Sequence, residues 1–135
     1  MKVEIASTLL AELLESAARS PGREICGLLF GSPAQISGYQ PATNVAADPA
    51  RTFEIDPVQL LAAHRHARTA GPAVIGHYHS HPSGQAEPSA TDAARADEPG
   101  ALWLILTTNG AYGLFRADPN GPIHGRFTPC VVQTL

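Results

Sequence analysis

Apolar and polar positions along the chain alternate between two periods. Leu9, Leu10, Leu13, Leu14 and Ala17 recur at helical spacing, and Ser7 or Thr8 is placed to cap a helix that reaches about Arg19. Before it, Met1–Ile5 suits a short strand. Pro21-Gly22 stops the helix, and REICGLLFG (23–31) reads as a buried strand closed by Gly31-Ser32-Pro33. A second strand is expected around 34–39, continuing irregularly towards Val45. RTFEI (51–55) alternates more weakly. Asp56-Pro57 is a strong helix start, with Asp as cap and Pro in the first turn, and that helix should end near Thr69. AVIGHYHSH (73–81) is the next strand, ended by Pro82. A loop of small residues fills 83–88, and Ser89 opens a short helix to about Ala96. ALWLILTT (101–108) and AYGLFRA (111–117) form a hairpin around Asn109-Gly110, and a last strand falls within 123–132. Strands mixed with three helices predict an α/β domain with a mixed sheet.

The chain has 135 residues, of which 44% are hydrophobic and 16% charged. That composition builds a core, and residues 1–135 read as a single domain without repeats or linkers. Formal net charge is −3, with no Lys/Arg cluster, which excludes a nucleic-acid backbone binder as the leading class. Glu4, Glu12 and Glu15 interrupt any apolar leader, and the run ALWLIL is too short to span a bilayer, so no membrane partner is expected. Two cysteines, Cys26 and Cys130, do not make a disulfide scaffold, and whether they pair is left open. A cytoplasmic, reducing location follows as the expectation.

The stretch GHYHSHPSGQAEPSATD (76–92) carries three of the six histidines at alternate positions. In a strand His77, His79 and His81 share one face, with Tyr78 and Ser80 on the other. Same-face neighbours lie roughly 6.5–7 Å apart, so three rings in a straight row cannot all reach one ion. The pair is either His77/His79 or His79/His81. Asp92, eleven residues past His81, folds back most easily on the strand's end and selects His79 and His81. Two histidines and one carboxylate leave a coordination position open on zinc, which is a catalytic rather than a structural ligand set. Set against this, Ser89-Ala90-Thr91-Asp92 fits the S-x-x-D helix-capping pattern, and the histidines could be solvated at a strand end.

A hydrolytic site also needs a general base. Glu24, Glu54, Asp56 and Glu87 are the candidates. Glu24 leads an apolar strand on the face of Cys26, Leu28 and Phe30, where it is either an exposed strand end paired with Arg23 or a placed catalytic group. The others have ordinary explanations in a strand, a cap and a solvated loop. His64 and His66 face apart on a helix, and His124 is isolated; all three read as surface or packing residues.

Taken together, Glu24, then His79-Ser80-His81-Pro82, then Ser89-x-x-Asp92 resembles the motif of the JAMM (MPN-plus) zinc metallopeptidases. E-x-C-G-L-L-x-G around Glu24 and V-I-G-x-Y-H-S-H-P before the loop are similar to its compact prokaryotic branch. The resemblance implies a single domain with a strongly curved mixed β-sheet flanked by helices, the architecture shared with cytidine deaminases. It implies one zinc ion held by His79, His81 and Asp92. Glu24 would relay a proton from water to the leaving amine, and Ser89 would donate to the oxyanion. His77 has no role in the pattern. Members cleave peptide or isopeptide bonds after the C-terminal Gly-Gly of ubiquitin-like proteins, and the compact branch points to small sulfur-carrier β-grasp proteins. The resemblance also admits a non-catalytic MPN scaffold, although such modules lose the ligands retained here. A RadC-type domain would carry Asn at the position of Ser80. Zinc deaminases need H-x-E and P-C-x-x-C, which are absent.

Overall fold

The computed structural model describes all residues, Met1–Leu135. Its elements run β1 (Lys2–Ile5), α1 (Ser7–Ala18), β2 (Cys26–Ser32), β3 (Gln35–Ala42), α2 (Pro57–Thr69), β4 (Ala73–His81), α3 (Ala90–Ala94), β5 (Leu102–Thr107), β6 (Tyr112–Ala117), β7 (Phe127–Pro129) and β8 (Val131–Thr134). All eight strands form one sheet in the order β7-β6-β5-β4-β2-β3-β1-β8. The β4–β5, β1–β3 and β1–β8 pairings are parallel and the others antiparallel, so the sheet is mixed.

The two ends of that order are adjacent in sequence. Where one last strand was expected, two occur, separated only by Cys130. The Cys130 N–H donates to Leu114 O on the β6 side, and the Val131 N–H donates to Met1 O on the β1 side. One extended segment therefore pairs with both edges in turn. It draws the sheet into a curve and covers edges that would otherwise be open to other chains.

Both faces of the sheet are buried, which accounts for the unbroken apolar run of β5. Leu102, Leu104 and Leu106 join Leu10, Leu13 and Ala17 of α1, with Val3, Leu29 and Tyr78, in one cluster. Trp103 and Ile105 point the other way, into a cluster with Cys26, Phe53, Ala93, Phe115 and Phe127. α1 covers the first face, and α2 and α3 lie over the second. Close approach of β4 and β5 requires glycine at position 76, because a Cβ there would lie 2.0 Å from Leu102 O. Gly110, with φ of +91°, makes the β5–β6 turn where Asn109-Gly110 was expected.

Three local expectations need correction. α1 is capped by neither Ser7 nor Thr8; Ala6 is its cap and has no side-chain bond, while the Ser7 N–H donates to Leu135 O. Leu135, just past β8, supplies the acceptor that a capping hydroxyl would have offered. RTFEI is not a strand and makes only an isolated bridge between Ile55 and Asn44. Phe53 is drawn out of alternation by burial against the sheet. β2 begins at Cys26, not Arg23, so Glu24 precedes the strand. No helix is long and apolar enough to cross a membrane.

Candidate metal centre

β4 is paired on both sides, with β2 and β5, and places His77, His79 and His81 on the second face opposite Trp103, Ile105 and Thr107. His79 is fully buried, and His81 is buried at the strand's last position. The strand ends there, so the rings can converge. Their centroids lie 4.8 Å apart at 65°, and their Nε2 atoms are 3.0 Å apart. His77 does not join them. It packs edge-on to Trp103 with centroids 4.3 Å apart, and its Nδ1 is buried without a partner.

Asp92 arrives from α3. Its Oδ2 lies 3.2 Å from His79 Nε2 and 3.1 Å from His81 Nε2. The same oxygen accepts the Ser89 N–H at 3.0 Å, while Ser89 Oγ accepts the Asp92 N–H at 3.0 Å. The capping box and the candidate ligand set are thus one feature, and Asp92 serves both. Ser89 Oγ, as the cap, accepts the Asp92 N–H and keeps its own proton to donate.

The three atoms facing one another form a triangle with edges of 3.0–3.2 Å. A tetrahedral ion with bonds near 2 Å separates its ligand atoms by about 3.3 Å. His81 Nδ1 faces Gln85 O at 2.8 Å, which places that ring's proton on Nδ1 and leaves the Nε2 lone pair turned inward. His79 Nδ1 is buried without a partner, while the ring stacks on Phe53 with centroids 4.3 Å apart and planes 19° apart. The donor chemistry and spacing fit a divalent cation such as zinc.

Glu24 is held beside this triangle by its backbone. Its N–H donates to Pro49 O at 2.7 Å, and its carbonyl accepts from Asn44 Nδ2 at 2.9 Å. The next residue, Ile25, donates to Ser80 Oγ at 2.8 Å and accepts the Ser80 N–H at 3.1 Å. Ser80 faces away from the histidines, as strand alternation requires, and fastens the Glu24 segment to β4. Ligating atoms of Glu24, His79 and His81 all lie within 4.8 Å of one another, and Glu24 Oε1 is buried with no partner. A cleft of about 480 Å³ opens over the site, with Glu24, Arg51, His81, Glu87, Ser89 and His124 in its walls.

The electrostatics of the metal-free chain separate these groups. Burial raises Glu24 to about 7, with the charge of Asp92 adding to the rise and His81 and Arg95 opposing it. Burial lowers His79 and, with the neighbouring His79, brings His77 down to about 3. Burial also acts against protonated His81, but its bonds to Asp92 and Gln85 carry it above its ordinary value. For Asp92 burial raises the carboxyl, and the two histidines outweigh it to hold the group well below the usual range. The site is thus a carboxylate among two imidazoles, beside a carboxyl group that titrates near neutrality.

Of the other candidate bases, Glu54 lies outside the cleft and contributes its N–H to Asn44 Oδ1. Asp56 caps α2, accepting the Val58 N–H at 2.9 Å, and Glu87 is an exposed rim residue. Cys26 and Cys130 are unpaired, and burial pushes the Cys26 thiol up to about 11. Sequence reasoning missed Asn44, Phe53 and Trp103; His124, read as a surface or packing residue, is exposed and lines the cleft. Asn44 carried no signal beyond an amide in an irregular segment. Phe53 was visible as an aromatic in a weakly alternating one.

A family model described as prokaryotic homologs of the JAB domain matches residues 6–118. A desampylase from Haloferax volcanii is 39% identical over 105 residues, covering 76% of each chain. A CysO-cysteine peptidase from Mycobacterium tuberculosis is 29% identical over 106 residues, covering 77% of this chain and 72% of that one. Among solved structures, a JAB1/MPN domain protein from Archaeoglobus fulgidus superposes with a TM-score of 0.61 over 96% of this chain and 98% of its own, at 21% identity. The fold is therefore that of the JAB/MPN proteins, and with its matching span the chain belongs to the prokaryotic JAB-domain family.

Proposed function

We propose that this chain is a zinc-dependent hydrolase that cleaves the peptide or isopeptide bond after the C-terminal Gly-Gly of a ubiquitin-like or sulfur-carrier β-grasp protein. The observation that carries the reading is the triangle of His79 Nε2, His81 Nε2 and Asp92 Oδ2, with buried Glu24 beside it. Those three residues would hold one zinc ion, which when bound supplies Lewis acidity and eases deprotonation of water.

Glu24, buried beside those donors with Oε1 unpartnered, would take a proton from the attacking water and return it to the leaving amine. Ser89 Oγ–H, its lone pair already engaged by the Asp92 N–H, donates to the oxyanion of the tetrahedral intermediate. Phe53 and Trp103 keep the histidine face dry. An extended glycine tail suits a narrow cleft, and strand addition is the economical way to hold it. The names of the two curated relatives, a desampylase and a CysO-cysteine peptidase, support a small protein carrier as the substrate class. Residues 1–135 act as a single metallopeptidase domain in this reading. Its unpaired cysteines suit the reducing cytoplasm.

The test measures zinc content and then cleavage of a β-grasp carrier extended beyond its Gly-Gly, for the wild type and Glu24→Gln. About one zinc per chain is expected in both, with cleavage lost in the variant. A wild-type chain that binds no zinc would sink the proposal. Full zinc with no cleavage of any carrier would favour a scaffold instead.

A further inference from the structure

The connection between β6 and β7 is built more tightly than a linker requires. Ile123 and Phe127 exchange backbone hydrogen bonds at 3.1 Å in both directions, and the Asp118 N–H donates to Arg126 O at 2.7 Å. Phe127 is fully buried and edge-on to Trp103, with centroids 5.1 Å apart. The turn is therefore anchored in the core that surrounds the histidines. At its tip stands His124, with φ of +52°, the one non-glycine residue in the left-handed region. Such a backbone is disfavoured for a residue with a side chain and persists where surrounding structure imposes it.

The exposed ring at that tip lines the cleft beside Glu24, His81 and Ser89. Its Nε2–H donates to Pro88 O at 3.0 Å, across 36 positions of sequence. Pro88 immediately precedes Ser89, the cap of α3. The middle of the same loop is held by His81 Nδ1–H on Gln85 O at 2.8 Å. Between His81 and Ser89 the chain turns at Gly84, which has φ of +85°. The loop is thus fastened to His81, a candidate ligand, by the Gly84 N–H on His81 O as well as through Gln85 O, and to His124 at Pro88, the residue before Ser89.

We infer that His124 is a positioning residue for the hydrolysis proposed above, on which this inference rests. By clamping Pro88 it holds Ser89 Oγ towards the histidine–aspartate centre while the loop admits substrate. His124 does not touch the reacting atoms. It acts through the backbone of Pro88 and the cap of α3.

Two variants of the zinc-loaded chain test this. His124→Gly removes the ring and is unstrained at this backbone angle, so misfolding does not confuse the result. His124→Gln retains an amide donor that can reach the same carbonyl. Amide hydrogen exchange at Ser89 and Asp92 should quicken roughly fivefold to tenfold in His124→Gly, the worth of one hydrogen bond, and return close to wild type in His124→Gln. On a carrier extended beyond Gly-Gly, kcat should fall by a similar factor in His124→Gly, with KM within about twofold and zinc content unchanged. Unchanged exchange in His124→Gly would overturn the inference. So would a raised KM with intact kcat, which would mark a direct substrate contact, or failure of Gln to restore protection. The exchange measurement needs no turnover. A wild type that cleaves nothing would therefore refute the proposed hydrolysis while still leaving the clamp to stand or fall by itself.

Discussion

Asn44 offers the sharpest test of how Glu24 is held. Its carboxamide uses every hydrogen-bonding position it has. Nδ2 donates to Glu24 O at 2.9 Å and to Thr52 O at 3.1 Å; Oδ1 accepts from Ala46 N–H at 3.0 Å and Glu54 N–H at 3.1 Å. Each bond is worth about 1 kcal/mol net, or about 4 kcal/mol for the set. The residue is half-buried, and water would recover about half of that. Asn44→Ala should therefore cost about 2 kcal/mol. Asn44→Asp is nearly isosteric and keeps the two accepted bonds, but it turns an oxygen towards two carbonyl oxygens. Two donated bonds are lost and a repulsion is added, for about 2–3 kcal/mol. Urea denaturation of the zinc-loaded proteins at neutral pH measures both, with an unchanged m-value showing that the same surface is exposed. None of the four bonds reaches His79, His81 or Asp92, so zinc content should stay at the wild-type value while kcat falls. An Asn44→Asp protein within about 0.5 kcal/mol of the wild type, or one that loses zinc, would refute this account of how Glu24 is anchored.

Two further predictions separate the roles around the centre. Ser89→Ala should keep its zinc, lose about 1 kcal/mol with the α3 cap and lower kcat by roughly a hundredfold, whereas Asp92→Ala should lose the zinc itself. Equal zinc loss in both would mean that Ser89 acts only by orienting Asp92. In the metal-free chain, Glu24 at about 7 against an ordinary 4.5 binds a proton that the unfolded chain releases. Its contribution to stability is complete below pH 4.5 and is lost as pH rises through 7. The buried, lowered His79 works in the opposite sense, losing stability as pH falls through the ordinary imidazole range. The informative quantity is therefore the difference between wild type and Glu24→Gln, measured by denaturation at several pH values. The variant should gain on the wild type steadily from pH 4.5 to 7. A flat difference, or one of opposite slope, would show that Glu24 is not raised.

The parts of the site that were legible in sequence are those fixed by local geometry. Alternation along β4 placed His79 and His81 on one face with Ser80 behind them, and S-x-x-D placed a carboxylate at a helix start. Asp56-Pro57 and Asn109-Gly110 marked α2 and the β5–β6 turn for the same reason, since each is a backbone device complete within a few residues. Partners chosen across the fold were illegible. Leu135 O replaces a side-chain cap on α1, and Asn44 O and N atoms replace strand pairing around residues 51–55. The doubled last strand belongs to the same class: its break at Cys130 follows from which sheet edge each half meets, and no local pattern encodes that meeting. Glu24 lies between the two cases. The apolar run that follows it makes it one of four candidate bases and the family resemblance singles it out, but the anchors supplied by Pro49, Asn44 and Ser80 are not visible in sequence.

That division bears on how the centre is assembled. α3 has only five residues, too short to persist by helix propagation alone. It is held by Ala93 in the second core cluster, by the Arg95 guanidinium on Phe53 O, and by the box that Ser89 and Asp92 close between them. Capping and ligand placement use the same oxygen, so whatever orders the helix start also sets Asp92 against the histidines. His81 is oriented by Gln85 O and His79 by the face of Phe53. Each donor is thus fixed by contacts that need no ion, and ligand reorganisation on binding is correspondingly small. A zinc finger works the other way, with the ion organising a chain that is otherwise unfolded. Here the strand end, the cap and the stacked ring bring three donors to 3.0–3.2 Å of one another in advance, at the cost of burying a carboxylate among imidazoles. A cation held between them, as proposed above, would offset that cost.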